Sequence, residues 1–260
     1  MEISAGLIEK RDHIAIVTLN LPQSLNALVQ PLMEQLGQAA AELDRDPEVG
    51  VIVLTGAGRA FCAGGDLQRF TEGFDAAGGA AYMDWVHGII RAWASISKPT
   101  IAAVNGHAVG AGLSLTLLCD LAYLADSAKL GCAFVNMGLV ADCGLGYYLP
   151  RAVGLQRAKE LCMTGRMISA QEAYEMGIGN GVVPADRLMQ TVLEKAAEIL
   201  SRPAYAVRMA KRLLDASPEL DLTNLLRLEG VVQAGCFLTE DSQEAVSAFL
   251  QKRTPTFHGK

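Results

Sequence analysis

The residues best suited to chemistry lie in two glycine-rich stretches and at one isolated acid. Gly56-Ala-Gly-Arg-Ala-Phe-Cys-Ala-Gly-Gly-Asp66 follows the β-branched run Val49-Gly-Val-Ile-Val-Leu-Thr55, and Asn105-Gly-His-Ala-Val-Gly-Ala-Gly112 follows Pro99-Thr-Ile-Ala-Ala-Val104. A helix that starts on glycines leaves its first amide N–H groups unpaired and unscreened by side chains. Two such loops, each after a buried strand, can aim two amides at one oxygen. That is the arrangement of an oxyanion hole, which serves reactions in which a carbonyl oxygen gains charge. The same glycines could instead serve only strand–helix packing. Asp142 is the isolated acid, set between Ala141 and Cys143 in an apolar, glycine-bearing run. An ionised carboxylate is costly to bury there without a partner, so Asp142 is either a helix N-cap or a working group.

Strands and helices must hold these residues in place, and hydrophobic periodicity predicts them. Residues 3–9 and 13–20 read as two strands joined by a tight turn at Arg11-Asp12. A helix over 31–43 starts on Pro31. The run 49–55 suits a strand covered on both faces. Residues 67–79 read as a loop or lid, and 80–97 as an amphipathic helix with Met83, Val86, Ile89, Ile90 and Trp93 on one face. His87 lies near that face, either satisfied by a backbone carbonyl or catalytic. A strand over 99–104, a buried helix over 113–118 and a strand over 121–125 follow, and 134–146 reads as a loop. Helices are expected over 154–164 and 169–177, the latter with the capping box Ser169-Ala-Gln-Glu172. An extended piece at 182–184 and a helix over 187–200 complete the mixed part. After Ser201-Arg-Pro203 only helical patterns remain, over 204–215, 222–238 and 241–251. Two parts are expected: a core of residues 1–200 that carries the site, and a helical oligomerisation module of residues 201–260.

Composition narrows the function classes. In 260 residues, 51% are apolar and 19% charged, as in an ordinary globular chain with a sizeable core. The net charge is −6 with scattered basic residues, which argues against a nucleic-acid surface. The six cysteines form no C-x-x-C pair and the four histidines are far apart, so no metal site is expected. Free thiols, no leader pattern and no apolar run near the ~20 residues of a membrane span point to a cytoplasmic protein without a membrane partner. The first glycine-rich loop reads G-x-G-x-x-x-x-x-G, which is not the G-x-G-x-x-G of a dinucleotide-binding turn.

The combination resembles the crotonase superfamily, the enoyl-CoA hydratase/isomerase family. The matching residues are Ser24-Leu-Asn-Ala-Leu28, Ala60-Phe-Cys-Ala-Gly-Gly-Asp-Leu67, Lys98-Pro-Thr-Ile-Ala-Ala-Val-Asn-Gly106, Gly110-Ala-Gly112 with Cys119-Asp120, Pro150-Arg-Ala-Val-Gly154, Leu161-Cys-Met-Thr-Gly165 and Ala170-Gln-Glu-Ala173. They occur in the family's order over nearly the whole chain. The resemblance implies an α/β fold, a crotonase-like spiral of β-β-α units with a C-terminal α-helical trimerisation module. It also implies an acyl-CoA thioester substrate of fatty-acid metabolism, a homotrimer or dimer of trimers, and no cofactor beyond the coenzyme A of the substrate.

Carried over residue by residue, the resemblance gives the amides of Gly65 and Ala111 the thioester oxygen, with alanine where the family usually has glycine. The loop from Arg59 through Ala63, Gly64 and Asp66 to Leu67 would meet the adenine end of coenzyme A, with Ser24, Asn26, Gly110, Ser114, Phe134 and Met137 as further substrate contacts. Val140 and Trp85 would join Phe134 and Met137 around the acyl group. Lys252 and Lys260 are either partners for coenzyme A phosphates or solvated surface lysines. The family's hydratases carry two glutamates; this chain has Ser114 and Phe134 at those places. Asp142 matches the aspartate of several family isomerases and of the 4-chlorobenzoyl-CoA dehalogenases. The expected activity is therefore Δ3–Δ2 enoyl-CoA isomerisation. The alternatives are hydration of a linear, cyclic or aromatic-derived acyl-CoA, nucleophilic attack by Asp142, and acyl-CoA binding without catalysis.

Overall fold

Runs dense in valine and isoleucine become strands covered on both faces, and the glycine-rich stretches after them become the turns that lead into helices. The computed structural model describes residues 6–71 and 73–259. Strands β1 (Gly6–Arg11) and β2 (Ile14–Leu19) form an antiparallel hairpin that turns at Asp12 and His13, both with positive φ. Helix α1 (Gln30–Arg45) begins with Pro31 in its first turn and buries Leu32, Leu36 and Leu43. Strands β3 (Val51–Gly56) and β4 (Ala60–Cys62) follow, then α2 (Leu67–Thr71) and α3 (Ala76–Ala94). The next unit is β5 (Thr100–Val104), β6 (His107–Val109) and α4 (Ala111–Leu118). A third is β7 (Leu121–Ala125), β8 (Lys129–Gly131), the short 3-10 helix Ala133–Met137 and α5 (Leu145–Val153).

The units that begin at β3, β5 and β7 each send one strand to each of two sheets and then cross over by helix, which gives the spiral. The larger sheet has the order β1-β2-β3-β5-β7-β10, where β10 is Gly181–Val183. The smaller has the order β4-β6-β8-β9, where β9 is Met167–Ser169. All pairings are parallel except β1 with β2 and β8 with β9. Helix α8 (Leu188–Leu200) packs across β3, β5 and β7 of the larger sheet, α7 (Ala170–Met176) against β8, β9 and β10, and α6 (Leu155–Thr164) against α5. Helix α3 buries Val86, Ile89, Ile90 and Trp93, and the Trp93 indole N–H donates to the Leu36 carbonyl at 2.9 Å, locking α3 to α1.

Ser201-Arg-Pro203 separates this body from α9 (Ala204–Ala216), α10 (Leu222–Phe237) and α11 (Glu240–Leu250). The Lys211 ammonium of α9 reaches Asp120 at 2.8 Å and the Lys98 carbonyl at 3.1 Å. Among the described residues no helix is long and apolar enough to cross a membrane.

The helical content differs from the sequence expectation in two places. The stretch expected as a loop at 67–79 contains α2 and the first turn of α3. Asp75 caps α3 by accepting from the Gly78 amide at 2.7 Å, a local cap inside an Ala/Gly segment too uniform to show a period. The stretch 134–146, also expected as a loop, contains a 3-10 helix and the first residues of α5, and α5 carries Pro150 in its interior. Pro150 cannot donate to the Gly146 carbonyl, and exposed Gly146 leaves that carbonyl to solvent. Residues 3–5 of the first expected strand lie outside the described residues.

Candidate active site

The first loop is clipped to the segment before α1. The Leu28 amide donates to the Gly64 carbonyl at 2.8 Å and the Ala63 amide to the Leu25 carbonyl at 2.9 Å, with Leu28 and Gly65 forming a parallel bridge. Asn26 builds the clip. It is fully buried, its Oδ1 accepts from the Leu21 amide, and its Nδ2 donates to the carbonyls of Ala57, Ala60 and Phe61. Asn26 is therefore a brace for the loop, and its expected role as a substrate contact is corrected. Every polar atom of its side chain is already used by the backbone around it.

The second loop turns at Gly110, whose φ of 56° and ψ of −120° lie where only glycine is at ease. Its amide donates to the Gly131 carbonyl at 2.9 Å, so α4 starts with Ala111 and leaves the Ala111 amide outside the helical ladder. The two loops touch: a Cβ on Gly64 would meet the Val109 carbonyl at 2.9 Å and the Ala111 nitrogen at 3.7 Å. Among the described residues neither the Gly65 nor the Ala111 amide donates to a protein acceptor. Two unpaired N–H groups on adjacent loops are what a developing oxyanion needs.

Asp142 reaches the same space from a left-handed turn at Cys143 and Gly144. Gly144 is the N-cap of α5, and no side chain caps that helix, so the capping alternative for Asp142 falls. The carboxylate is half-buried and its Oδ1, shielded from solvent, has no hydrogen-bond partner among the described residues. Burial raises the Asp142 pKa from its ordinary value, against smaller opposing effects of the adjacent Cys143 thiol and of His87. The thiols nearby stay protonated: burial pushes Cys62 up to about 12 and lifts Cys143 as well. Neither is a thiolate nucleophile at neutral pH.

Ser114 does not face this space. It is fully buried in α4, and its hydroxyl donates to the Asp142 carbonyl at 3.1 Å and the Gly110 carbonyl at 3.4 Å. The expected substrate contact at Ser114 is thus corrected to an internal tie, for the same reason as at Asn26. Phe134, at the other position compared with hydratase glutamates, lays its ring 3.7 to 3.9 Å from where a Gly110 Cβ would stand.

The loops and Asp142 open on a cavity of about 570 Å³. Of the expected site residues, Ser24, Ala63, Gly64, Gly65, Asp66 and Leu67 line it from one side, and Gly110, Ala111, Phe134, Met137 and Asp142 from the other. Arg59 lies outside this lining on an exposed turn, and Val140 is 83% exposed, turned away from the acyl space. Trp85 lines a neighbouring cavity instead. His87 is half-buried outside the lining, and Lys260 is outside the described residues. Asp66, the other carboxylate at the cavity, accepts from the Gln68 amide at 3.0 Å where α2 begins.

Sequence reasoning missed the wall supplied by α2 and α3, chiefly Phe70, Tyr82 and Met83. Their signal was an aromatic series, Phe70, Phe74, Tyr82 and Trp85, inside a segment read partly as a loop. Their rings contact one another edge-on or tilted, with centroids 5.3 to 6.4 Å apart. Burial, with the nearby Asp66 and Asp142 carboxylates, raises the Tyr82 phenol, which keeps it a neutral donor.

Known proteins resemble this chain over nearly its whole length. The profile described as enoyl-CoA hydratase/isomerase matches residues 9–260. A probable enoyl-CoA hydratase of Mycobacterium tuberculosis is 38% identical over 255 residues, 96% of each chain. The 1,2-epoxyphenylacetyl-CoA isomerase of Escherichia coli is 36% identical over 265 residues, covering both chains in full. The crystal structure of an enoyl-CoA hydratase from Bacillus anthracis superposes with a TM-score of 0.93 at 34% identity, over 99% of this chain and 100% of that one.

Proposed function

The chain belongs to the enoyl-CoA hydratase/isomerase family, and we propose that within it the protein shifts a double bond, converting a 3-enoyl-CoA to the conjugated 2-enoyl-CoA. The observation that carries this reading is the state of the carboxylates at the cavity. Asp66 is engaged by the Gln68 amide, which leaves Asp142 as the acid with a buried oxygen unpartnered among the described residues. Water addition needs one group to activate water and another to protonate C2, whereas a double-bond shift needs a single proton shuttle.

In this mechanism Asp142 takes a proton from C2, and the electrons of that C–H bond move into a dienolate. The Gly65 and Ala111 amides hold the dienolate oxygen. The double bond re-forms between C2 and C3 as the Asp142 carboxyl returns its proton to C4. The raised Asp142 pKa suits this work, since a base nearer neutrality takes a weakly acidic proton better. No cofactor enters beyond the coenzyme A of the substrate.

The test is Asp142→Asn, with the absorbance of the conjugated thioester followed from 3-enoyl-CoA. Turnover falls by about 10²- to 10⁴-fold if Asp142 is the shuttle, and unchanged turnover removes it. The names of relatives such as the M. tuberculosis protein favour a second reading, hydration. A hydratase would consume the conjugated absorbance of a 2-enoyl-CoA instead of producing it.

Residues 201–260 are read as a self-association module. Exposed Leu222, Leu226, Phe237, Leu238, Phe249 and Leu250 give its helices an apolar surface suited to further copies of this chain as a trimer or a dimer of trimers. Six free cysteines fit a reducing compartment, which we take to be the cytoplasm.

A further inference from the structure

Beside the active-site cavity lies a second one of about 420 Å³, reached past α1 and lined by Gln30, Pro31, Arg69, Gly78 and Trp85. Three residues, Val29, Asp66 and Tyr82, belong to both linings and so stand between the two spaces. Two of them are tied to the backbone. Val29 is the N-cap residue of α1, with its amide on the Ala27 carbonyl at 2.8 Å, and the Asp66 side chain holds the start of α2. Tyr82 is the large side chain of the three. Its ring packs against the hydrophobic core and contacts the rings of Phe74 at 5.3 Å, Trp85 at 5.8 Å and Phe70 at 6.4 Å between centroids. Its hydroxyl has no hydrogen-bond partner among the described residues, so no directional bond anchors the ring.

We propose that the Tyr82 ring is the partition that limits acyl length in this enzyme, and that the second cavity is the space a longer straight acyl chain occupies once the ring is displaced. The inference rests on the reading of the first cavity as the acyl-CoA site. The part of the wall that can move is carried by α3, outside both sheets. The loops that present the Gly65 and Ala111 amides are held by the bonds from Leu28 to Gly64 and from Gly110 to Gly131, neither of which involves the ring. Removing the ring joins about 570 Å³ to about 420 Å³. Conversely, a ring of the same size without the hydroxyl keeps the partition.

The experiment measures equilibrium binding of saturated butyryl-, octanoyl- and dodecanoyl-CoA to the full chain, which needs no turnover. In Tyr82→Ala the dodecanoyl-to-butyryl affinity ratio rises by about tenfold over wild type, the effect of two more buried methylenes. Tyr82→Phe keeps the wild-type ratio. Tyr82→Leu, which retains bulk on the helix, shifts the ratio in the same direction and serves if the alanine variant does not fold. A ratio unmoved in both the alanine and leucine variants overturns the proposal. So does an equal change at every chain length, which would put the second cavity on the coenzyme A side. If wild type binds none of the three thioesters, the acyl-CoA site itself falls, an outcome distinct from an unmoved ratio.

Discussion

The Ser114 hydroxyl donates to the Asp142 backbone carbonyl at 3.1 Å. That one bond ties the helix presenting the Ala111 amide to the turn presenting the carboxylate. The oxygen stabiliser and the proton shuttle are thus set against each other from the interior. Ser114→Ala removes this bond and leaves the part-buried Asp142 carbonyl with the Leu145 amide, at 2.9 Å, as its remaining donor. Stability should fall by about 1 kcal/mol in chemical denaturation. A similar loss of positioning lowers kcat by about fivefold, and KM stays near wild type because Ser114 does not line the cavity. A raised KM with unchanged kcat would point to direct substrate contact instead.

The raised pKa of Asp142 has two pH signatures of opposite sense. For activity, the base must be ionised, so kcat/KM climbs with pH through the Asp142 titration, on a limb above the ordinary carboxylate value of 3.8. For stability, the folded state holds the proton more tightly than the unfolded state. Below the unfolded pKa both states are protonated and nothing is lost; as pH rises through the folded pKa, stability falls. Asp142→Asn removes that loss. Its melting temperature should exceed that of wild type by a margin that is small below pH 4, grows as pH rises through the folded-state titration of Asp142 and is constant above it. A margin independent of pH would contradict the burial of the charge.

Gly110→Ala forces a Cβ onto a backbone with φ of 56° and ψ of −120°. Strain of this type costs about 1–3 kcal/mol, and relieving it rotates the Ala111 amide away from the Gly65 amide. Loss of one donor of this type lowers kcat by about 10²- to 10³-fold. Ala111→Gly keeps the amide and should stay within a few-fold of wild type in the same steady-state assay.

Asn26→Ala strips one acceptor and two donor hydrogens from a fully buried position bonded to four backbone groups. Unfolding in urea should show a loss of about 2–3 kcal/mol. Asn26→Asp is worse, because it sets a carboxylate against the carbonyls of Ala57, Ala60 and Phe61. A substrate-contact role would appear in KM at unchanged stability.

Much of the site was legible in the chain. Gly110 had to be glycine for its backbone angles, and the strands ahead of both loops showed in their β-branched runs, because these are local requirements that residues near in sequence satisfy by themselves. Family motifs added Asp142. The helical start of α3 was obscured by an Ala/Gly stretch without a period, and with it the aromatic wall of Phe70 and Tyr82.

Sequence alone thus determined the pair of amide-bearing loops and the solitary acid, since backbone conformation and residue type are written residue by residue. Tertiary structure decided what each polar group is for. Asn26 and Ser114 looked like substrate contacts until partners 4 to 35 residues away were seen to use their hydrogen bonds, while Asp142 kept an oxygen that no partner among the described residues claims. The physical reason is that hydrogen-bond satisfaction and burial are properties of groups brought together by folding, often from distant parts of the chain.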